Sequence, residues 1–454
     1  MSHEYGAFIL FRKLCCYFVA AIAVIQISSP PAQAVPAFAL QTGQPCVTCH
    51  IGALGPQLTP FGRQFKLGGY TLRAVQFTPP IAAIAIASFV HTAKDQSAPP
   101  APHYGVNDNA TIDEIALFVA GGYGEHLGSF IELTYDGVGK SFSVDNSDLR
   151  AVDSEKLFGS DVILGLSVNN APTIQDVWAT LPVWSFPFTD TALASTPGAS
   201  PVIDGSFNGN VFGASAYAWW DSDLYTEAGF YTSLSKGILR AVGVGSDGTN
   251  LISGAAPYLR VAYQRDYGQQ NFEVGAFTFL GDIFPGRDQS TGTTDHFTDF
   301  GLDASYQYLG TGENIGTFNA RYTHENETFD ASDVLGAAAN HSDELNELIF
   351  NASYYWQNTI GMTAQHFQTW GSRDALLYSA NRTARPDSAG FLFQIDGTPF
   401  GKPDASPFGP WVNVRVGLQY WAYTQFNGAG KNFDGLGTNA GDNDTLRLFI
   451  WTAF

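Results

Sequence analysis

The chain reads as an all-β membrane protein, an antiparallel β-barrel of about sixteen strands preceded by a short N-terminal segment. Three observations predict it. From about Ile81 to the terminus apolar and polar residues alternate with period two, the links between the alternating runs are in turn short and long, and no long apolar run follows the first thirty-odd residues.

The N-terminus comes first. Arg12 and Lys13 precede an apolar run, Leu14–Ile27, which is followed by the small-residue site Ala32-Gln33-Ala34. That order of charged, apolar and small-residue regions predicts a secretory signal peptide over 1–34, with Val35 as the new terminus. The run is shorter than the ~20 apolar residues that span a bilayer, which argues against a retained anchor.

The next segment, 35–77, holds the only cysteines left after that cleavage, in Cys46-Val47-Thr48-Cys49-His50. Two thiols separated by two residues and followed by histidine are the spacing of c-type haem attachment, in which each thiol bonds a vinyl group and the imidazole ligates iron. A zinc site would need four ligands, and no second Cys/His cluster follows. A thioredoxin-like pair would need a βαβ setting, which is missing. One covalent haem c on Cys46 and Cys49, with His50 on the metal, is the expectation. A segment this short buries little core by itself, so it should lean on the interior of the barrel as a plug.

The barrel, 78–454, is expected from strands at 81–93, 112–123, 127–136, 147–156, 160–168, 209–220, 223–234, 256–265, 269–279, 296–308, 315–325, 344–357, 359–371, 387–399, 411–424 and 444–454. In one of them Phe300, Leu302, Ala304 and Tyr306 alternate with Asp299, Gly301, Asp303 and Ser305; in another Val414, Val416, Leu418 and Tyr420 alternate with Arg415, Gly417 and Gln419. One face is apolar and the other wet. Tight links fall at Gly124–His126, Gly159, Asp221-Ser222, Asp266–Gly268, Gly310–Asn314 and Asn358, and long ones start near Lys94, Gly137, Asn169, Ser235, Gly281, Asn326, Gly371 and Gln425. Short turns at one end and long loops at the other are the asymmetry of outer-membrane barrels, whose closure removes the sheet edges that hydrocarbon cannot tolerate. The last strand ends in Phe454, an ending similar to the recognition signal of such barrels. With the short turns periplasmic, the haem segment is periplasmic as well and the long loops face outside. The longest, Asn169–Asn208, is a candidate to fold back over the mouth.

Trp219-Trp220, Tyr354-Tyr355-Trp356 and Trp421 suit interfacial aromatic girdles. Glu132, Glu273, Asp299, Asp303, Arg260, Arg321, Arg415 and Arg447 are expected to face the lumen, as solvated pore lining or, alternatively, as residues that order a plug. A formal charge of -20 argues against nucleic acid as a partner.

At the level of whole motifs the chain resembles the fused cytochrome-porins of bacterial outer membranes, iron-oxidising monohaem cytochromes with a C-terminal barrel. The resemblance is carried by Pro36–Ala39, Gln41–Gly43, Cys46–His50, Pro60–Tyr70, Ser167–Trp178 and the final strand. It implies outer-membrane electron transfer from an extracellular donor, favoured to be Fe2+, to a periplasmic carrier, with iron(II) oxidation as the possible enzymatic activity. By the same resemblance Arg63 and Lys66 are candidates to contact haem propionates. Two departures are Leu40, where a basic residue is expected, and Ile51–Gln57, which lacks the histidine that follows the haem motif in iron-oxidising members. The alternatives are a porin-like solute channel whose haem is structural or regulatory, and exchange with a donor other than iron. For the sixth ligand, Met362 is expected to point to lipid, and His91 and His126 are conceivable.

Overall fold

The computed structural model describes residues 37–74, 80–402 and 412–454; the expected signal peptide lies outside them. The strands are β1 Ile81–Thr92, β2 Asn109–Gly122, β3 Leu127–Asp136, β4 Ser141–Leu157, β5 Ser160–Asn169, β6 Val211–Trp220, β7 Leu224–Ser233, β8 Leu251–Ile252, β9 Ala256–Tyr267, β10 Gln270–Phe284, β11 Asp295–Tyr308, β12 Ile315–Thr328, β13 Ser342–Trp356, β14 Ile360–Gly371, β15 Ser388–Gly397, β16 Asn413–Gln425 and β17 Thr445–Ala453. β8 is a two-residue rung on the end of β10, and β7 pairs directly with β9. The remaining sixteen form a meander in which each strand pairs antiparallel with its neighbours in sequence. The sheet closes where β1 meets β17, from Ile84 opposite Ala453 to Thr92 opposite Thr445.

Side-chain alternation sets the two faces of the wall. On β11, Phe300 and Leu302 are 47% and 49% exposed, while Asp299 and Asp303 on either side of them are buried. The same holds for Val416 and Leu418 against Arg415 and Gln419 on β16. A soluble protein keeps charges outside; a wall with apolar residues outside and charges inside is built for hydrocarbon. The closed cylinder also leaves no strand edge unpaired, which is what a span without helices requires. Among the described residues no helix is long and apolar enough to cross a membrane. Of the aromatic residues expected in the girdles, Tyr354 and Trp356 face outward, whereas Trp219 and Tyr355 turn into the lumen, as period two demands of adjacent residues.

Short turns gather at one end. Phe158 and Gly159, Asp221 and Ser222, and Gln357 and Asn358 each pair two positive φ values, the backbone of a tight hairpin turn that matches strand twist. One expected long link is short: β4 begins at Ser141, so only 137–140 separate it from β3. The Asp136 carboxylate holds that turn, accepting from the N–H groups of Val138 at 2.8 Å and Gly139 at 3.0 Å. The longest link runs from 170 to 210, between β5 and β6; its two flanks descend into the lumen, while its middle meets the outer links at the mouth, where Gln96 donates to Leu193 O and Gly198 N donates to Asn427.

The lumen charges face inward as parity predicts, but they are not solvated pore lining. All eight are between 0% and 6% exposed, because the descending loop and the N-terminal segment pack against them. Arg260 Nη2 lies 2.9 Å from Asp303 and 3.4 Å from Asp176 of the loop. Arg321 Nη2 lies 2.5 Å from Glu347 and 3.0 Å from Asp204. Asp299 accepts from Ile203 N at 2.9 Å, Glu325 accepts from Val202 N at 2.6 Å, and Arg447 donates to Thr189 O at 2.9 Å. Charges this deep are tolerable only when paired and hydrogen-bonded, so the loop supplies partners to the wall and the wall fixes the loop.

Candidate functional site

The cysteines lie on a single four-residue helical turn, Cys46–Cys49, entered from Pro45. His50 leaves it in extended conformation and forms an isolated bridge with Leu58. Thr59 ties this turn to the next helix, Pro60–Leu67: its N–H donates to Cys49 O at 2.9 Å, its hydroxyl donates to Thr48 O at 2.5 Å, and the same oxygen caps the helix by accepting from Gly62 N at 3.2 Å. Gly62 rests directly on the Cys49 carbonyl, where any side chain would collide with it. The two thiols and the imidazole are therefore set by a short closed frame.

The wall anchors that frame. Asn358 in the β13–β14 turn accepts from Gly52 N at 2.7 Å; Thr398 and Arg415 donate to Gly52 O, and Asn413 donates to Ala53 O at 2.7 Å. Gln41 donates to Tyr70 O at 2.6 Å and accepts from Gly122 N at 2.8 Å. Phe38, Phe65 and Tyr70 cluster, with Phe38 stacked on Tyr70 at 5.2 Å between ring centroids.

Cys46, Cys49, His50, Phe65 and Lys66 line one cavity of about 390 Å³, closed by Ile84, Ile86, Phe118 and Phe130 of the wall and by Trp184 and Phe188 of the loop. Both thiols are free. Burial pushes the Cys46 thiol up and the Cys49 thiol up to about 12, with Cys46 adding to the latter, so both stay protonated. Thiols in that state are poor redox nucleophiles. Burial lowers His50 to about 4, a hydrogen bond to the Gly55 backbone opposing and Arg415 reinforcing the shift, which keeps the imidazole neutral. Its Nδ1 is buried without a hydrogen-bond partner.

No family model and no curated protein sequence matches the chain. Among solved structures it is similar to OmpF of Salmonella typhi in complex with daunomycin (11% identity, 82% of this chain and 97% of that one, TM-score 0.47). It is similar also to the anion-selective porin of Comamonas acidovorans (14%, 82% and 98%, 0.46) and the outer membrane channel DcaP of Acinetobacter baumannii (13%, 82% and 96%, 0.45). The pairing and facing of its own strands decide the matter. This chain is a bacterial outer-membrane β-barrel.

Lys66 and Arg63 part ways on the second helix. Lys66 reaches the cavity and donates to Ile174 O at 2.8 Å and Asp176 O at 2.9 Å, with its ammonium 4.6 Å from the Trp184 ring centre. Arg63 is outside the cavity lining; its Nη1 donates to Gln307 at 2.9 Å and Leu58 O at 3.2 Å. Of the three candidate sixth ligands none lines the cavity. Met362 faces outward, His91 pairs with Asp108 at 2.7 Å, and His126 sits in the β2–β3 turn beside Val152 O. Sequence reasoning missed the carboxylates at the cavity wall, Glu114 and Asp145, and the loop residue Asp176, whose carboxylate accepts from Trp178, Thr180 and Leu181 N–H groups. Asp176 lay within a motif already singled out, but its role depends on a contact with Arg260 across 84 positions, and nothing local signals it.

Lys66 also sets a pH dependence. Burial, with Arg150 adding, lowers its ammonium from 10.5 to about 7. Between those values the unfolded chain binds the proton that the folded chain does not, so the stability contribution rises with pH across that window and the penalty is complete below about 7. Thermal melts in detergent of protein without haem, in the Cys46→Ala, Cys49→Ala background, should therefore show the Lys66 chain gaining stability from pH 7 to pH 10 relative to Lys66→Met. Parallel profiles for the two proteins would contradict this.

Proposed function

We propose that the barrel carries one haem, covalently held by Cys46 and Cys49 with His50 on the iron, and passes electrons between an extracellular donor and a periplasmic carrier. The observation that supports this most is the convergence of two thiols and a neutral imidazole on one largely apolar cavity inside the lumen, whose wall also carries Glu114, Glu132 and Asp145. These residues fit the group: thiols to tether it, a neutral nitrogen to ligate it, aromatic and aliphatic walls to exclude water. When bound, the haem supplies the one-electron chemistry; the chain supplies attachment, position and insulation. Lys66 stands where it would meet an anionic propionate. Fe2+ is the favoured donor by the resemblance described above.

A second reading, a porin-like solute channel, is favoured by the sixteen-strand wall, a size that leaves an aqueous channel when the lumen is open. The burial of the lumen charges beneath the loop weighs against it.

Reduction in proteoliposomes separates the two. With Fe2+ supplied to the face bearing the long loops, the haem absorbance of the wild type should shift to the reduced form, and Cys46→Ala should respond less or not at all. No reduction, together with large single-channel conductance, would establish the channel instead.

A further inference from the structure

The rim at the long-loop end, across β10 to β13, holds a cluster that takes no part in the cavity. Asp282 and His296 face each other in the β10–β11 ladder, with His296 Nδ1 2.6 Å from Asp282 Oδ1. The other ring nitrogen, Nε2, lies 3.5 Å from Asp330 Oδ2. The second oxygen of Asp330 lies 3.7 Å from His341 Nδ1.

Strand order brings them together. Thr328 is opposite His296 on one side and Ser342 on the other, so Asp330, two residues past Thr328, and His341, one before Ser342, meet above the same ladder. The link between them is fixed. Phe329 N donates to His341 O at 2.8 Å, and the Asp295 carboxylate accepts from Ala331 N at 2.8 Å, Ser332 N at 2.9 Å and Ser332 Oγ at 2.5 Å.

We propose that His296, Asp330 and His341 form a binding site for a divalent transition-metal ion at the outer rim, with Asp282 as the residue that orients His296. Two imidazoles and one carboxylate with open positions are a donor set suited to Fe2+, Co2+ and Zn2+. Donors bonded at about 2.1 Å to one tetrahedral ion stand about 3.4 Å apart. The separations of 3.5 Å and 3.7 Å run to the two different oxygens of Asp330, so each ring stands within about that distance of the shared carboxylate. Asp282 occupies Nδ1 and so leaves Nε2 as the free donor, the arrangement in which a carboxylate fixes the tautomer of a metal-ligating histidine. Among the described residues no three such side chains are already drawn around one point, so an ion closes the trio by rotating the His341 ring, whose side chain is 67% exposed. Without an ion these are exposed pairs that contribute little.

The site is independent of the haem reading, and its test reads metal binding rather than haem reduction. Untagged full-length protein in detergent, stripped with chelator, is titrated with Co2+ by absorbance and with Zn2+ by calorimetry. Cys46 and Cys49 are kept in every protein compared, so any binding they add is common to all. One site should be weakened at least ~10-fold in His296→Ala and in His341→Ala, and about 10–100-fold in Asp282→Asn, with the folded mobility on gels unchanged. Absence of a bound ion in the wild type, or equal affinity in the His296→Ala, His341→Ala double variant, would overturn the site. Equal affinity in Asp282→Asn would overturn the orienting role.

Discussion

Arg150→Ala should cost about 3–5 kcal/mol and make the barrel leak ions. Arg150 joins all three parts of the molecule at one point. Its Nε lies 2.7 Å from Asp148 of the wall, with both side chains almost wholly buried. Its Nη1 donates to Lys66 O of the N-terminal segment at 3.1 Å, and its Nη2 donates to Gln175 O of the descending loop at 3.3 Å. Tyr70 and Ser167 donate to the same Asp148 carboxylate, and the rings of Tyr70 and Tyr217 flank the guanidinium. Removing the cation leaves Asp148 charged in a dry site and cuts two ties that hold the inserts against the wall. Arg150→Lys keeps the charge but loses the planar fork, and should fall between. Planar-bilayer recordings and thermal melts measure both effects; an Arg150→Ala protein with wild-type melting and conductance would show that other contacts hold the lumen closed.

The Cys46→Ala, Cys49→Ala double variant should lose all covalently attached haem while the barrel still folds. A haem stain on denaturing gels reads the first, and the heat-dependent mobility shift of a folded barrel reads the second. The two are separable because the segment keeps its anchors at Gly52, Ala53 and Arg63 when the thiols are lost; of the two thiols only Cys46 meets the wall, at Asn413, which also holds Ala53. His50→Ala should keep the attached porphyrin and change its visible spectrum. A wild-type protein without stain would end the haem proposal whatever the variants do.

Much of the wall was legible because a strand with lipid on one side and packed polar groups on the other writes its facing into every second residue. The run Phe300 to Tyr306 needed nothing further. The start of β4 was not legible: Ser141–Asn146 mixes Phe142 and Val144 with serine, aspartate and asparagine, and the tight turn ahead of it depends on the Asp136 side chain rather than on a hairpin dipeptide. The lumen charges show a sharper limit. Parity placed Arg260 and Asp303 inside, but whether they meet water or protein is decided by Asp176, 84 positions away from Arg260, and Thr180, more than a hundred from Asp303. The Cys46–His50 spacing is local and can be read without the fold. Arg63 and Lys66, three apart on one helix, looked equivalent in sequence; the fold turns one to Gln307 and the other to the cavity.

The seam between β1 and β17 joins the earliest strand to the last one synthesised. The cylinder can be sealed only after the whole polypeptide has been exported, whereas positions 46 and 49 emerge near the beginning. On the haem proposal, the two thiols are therefore open to attachment before the cylinder can be sealed.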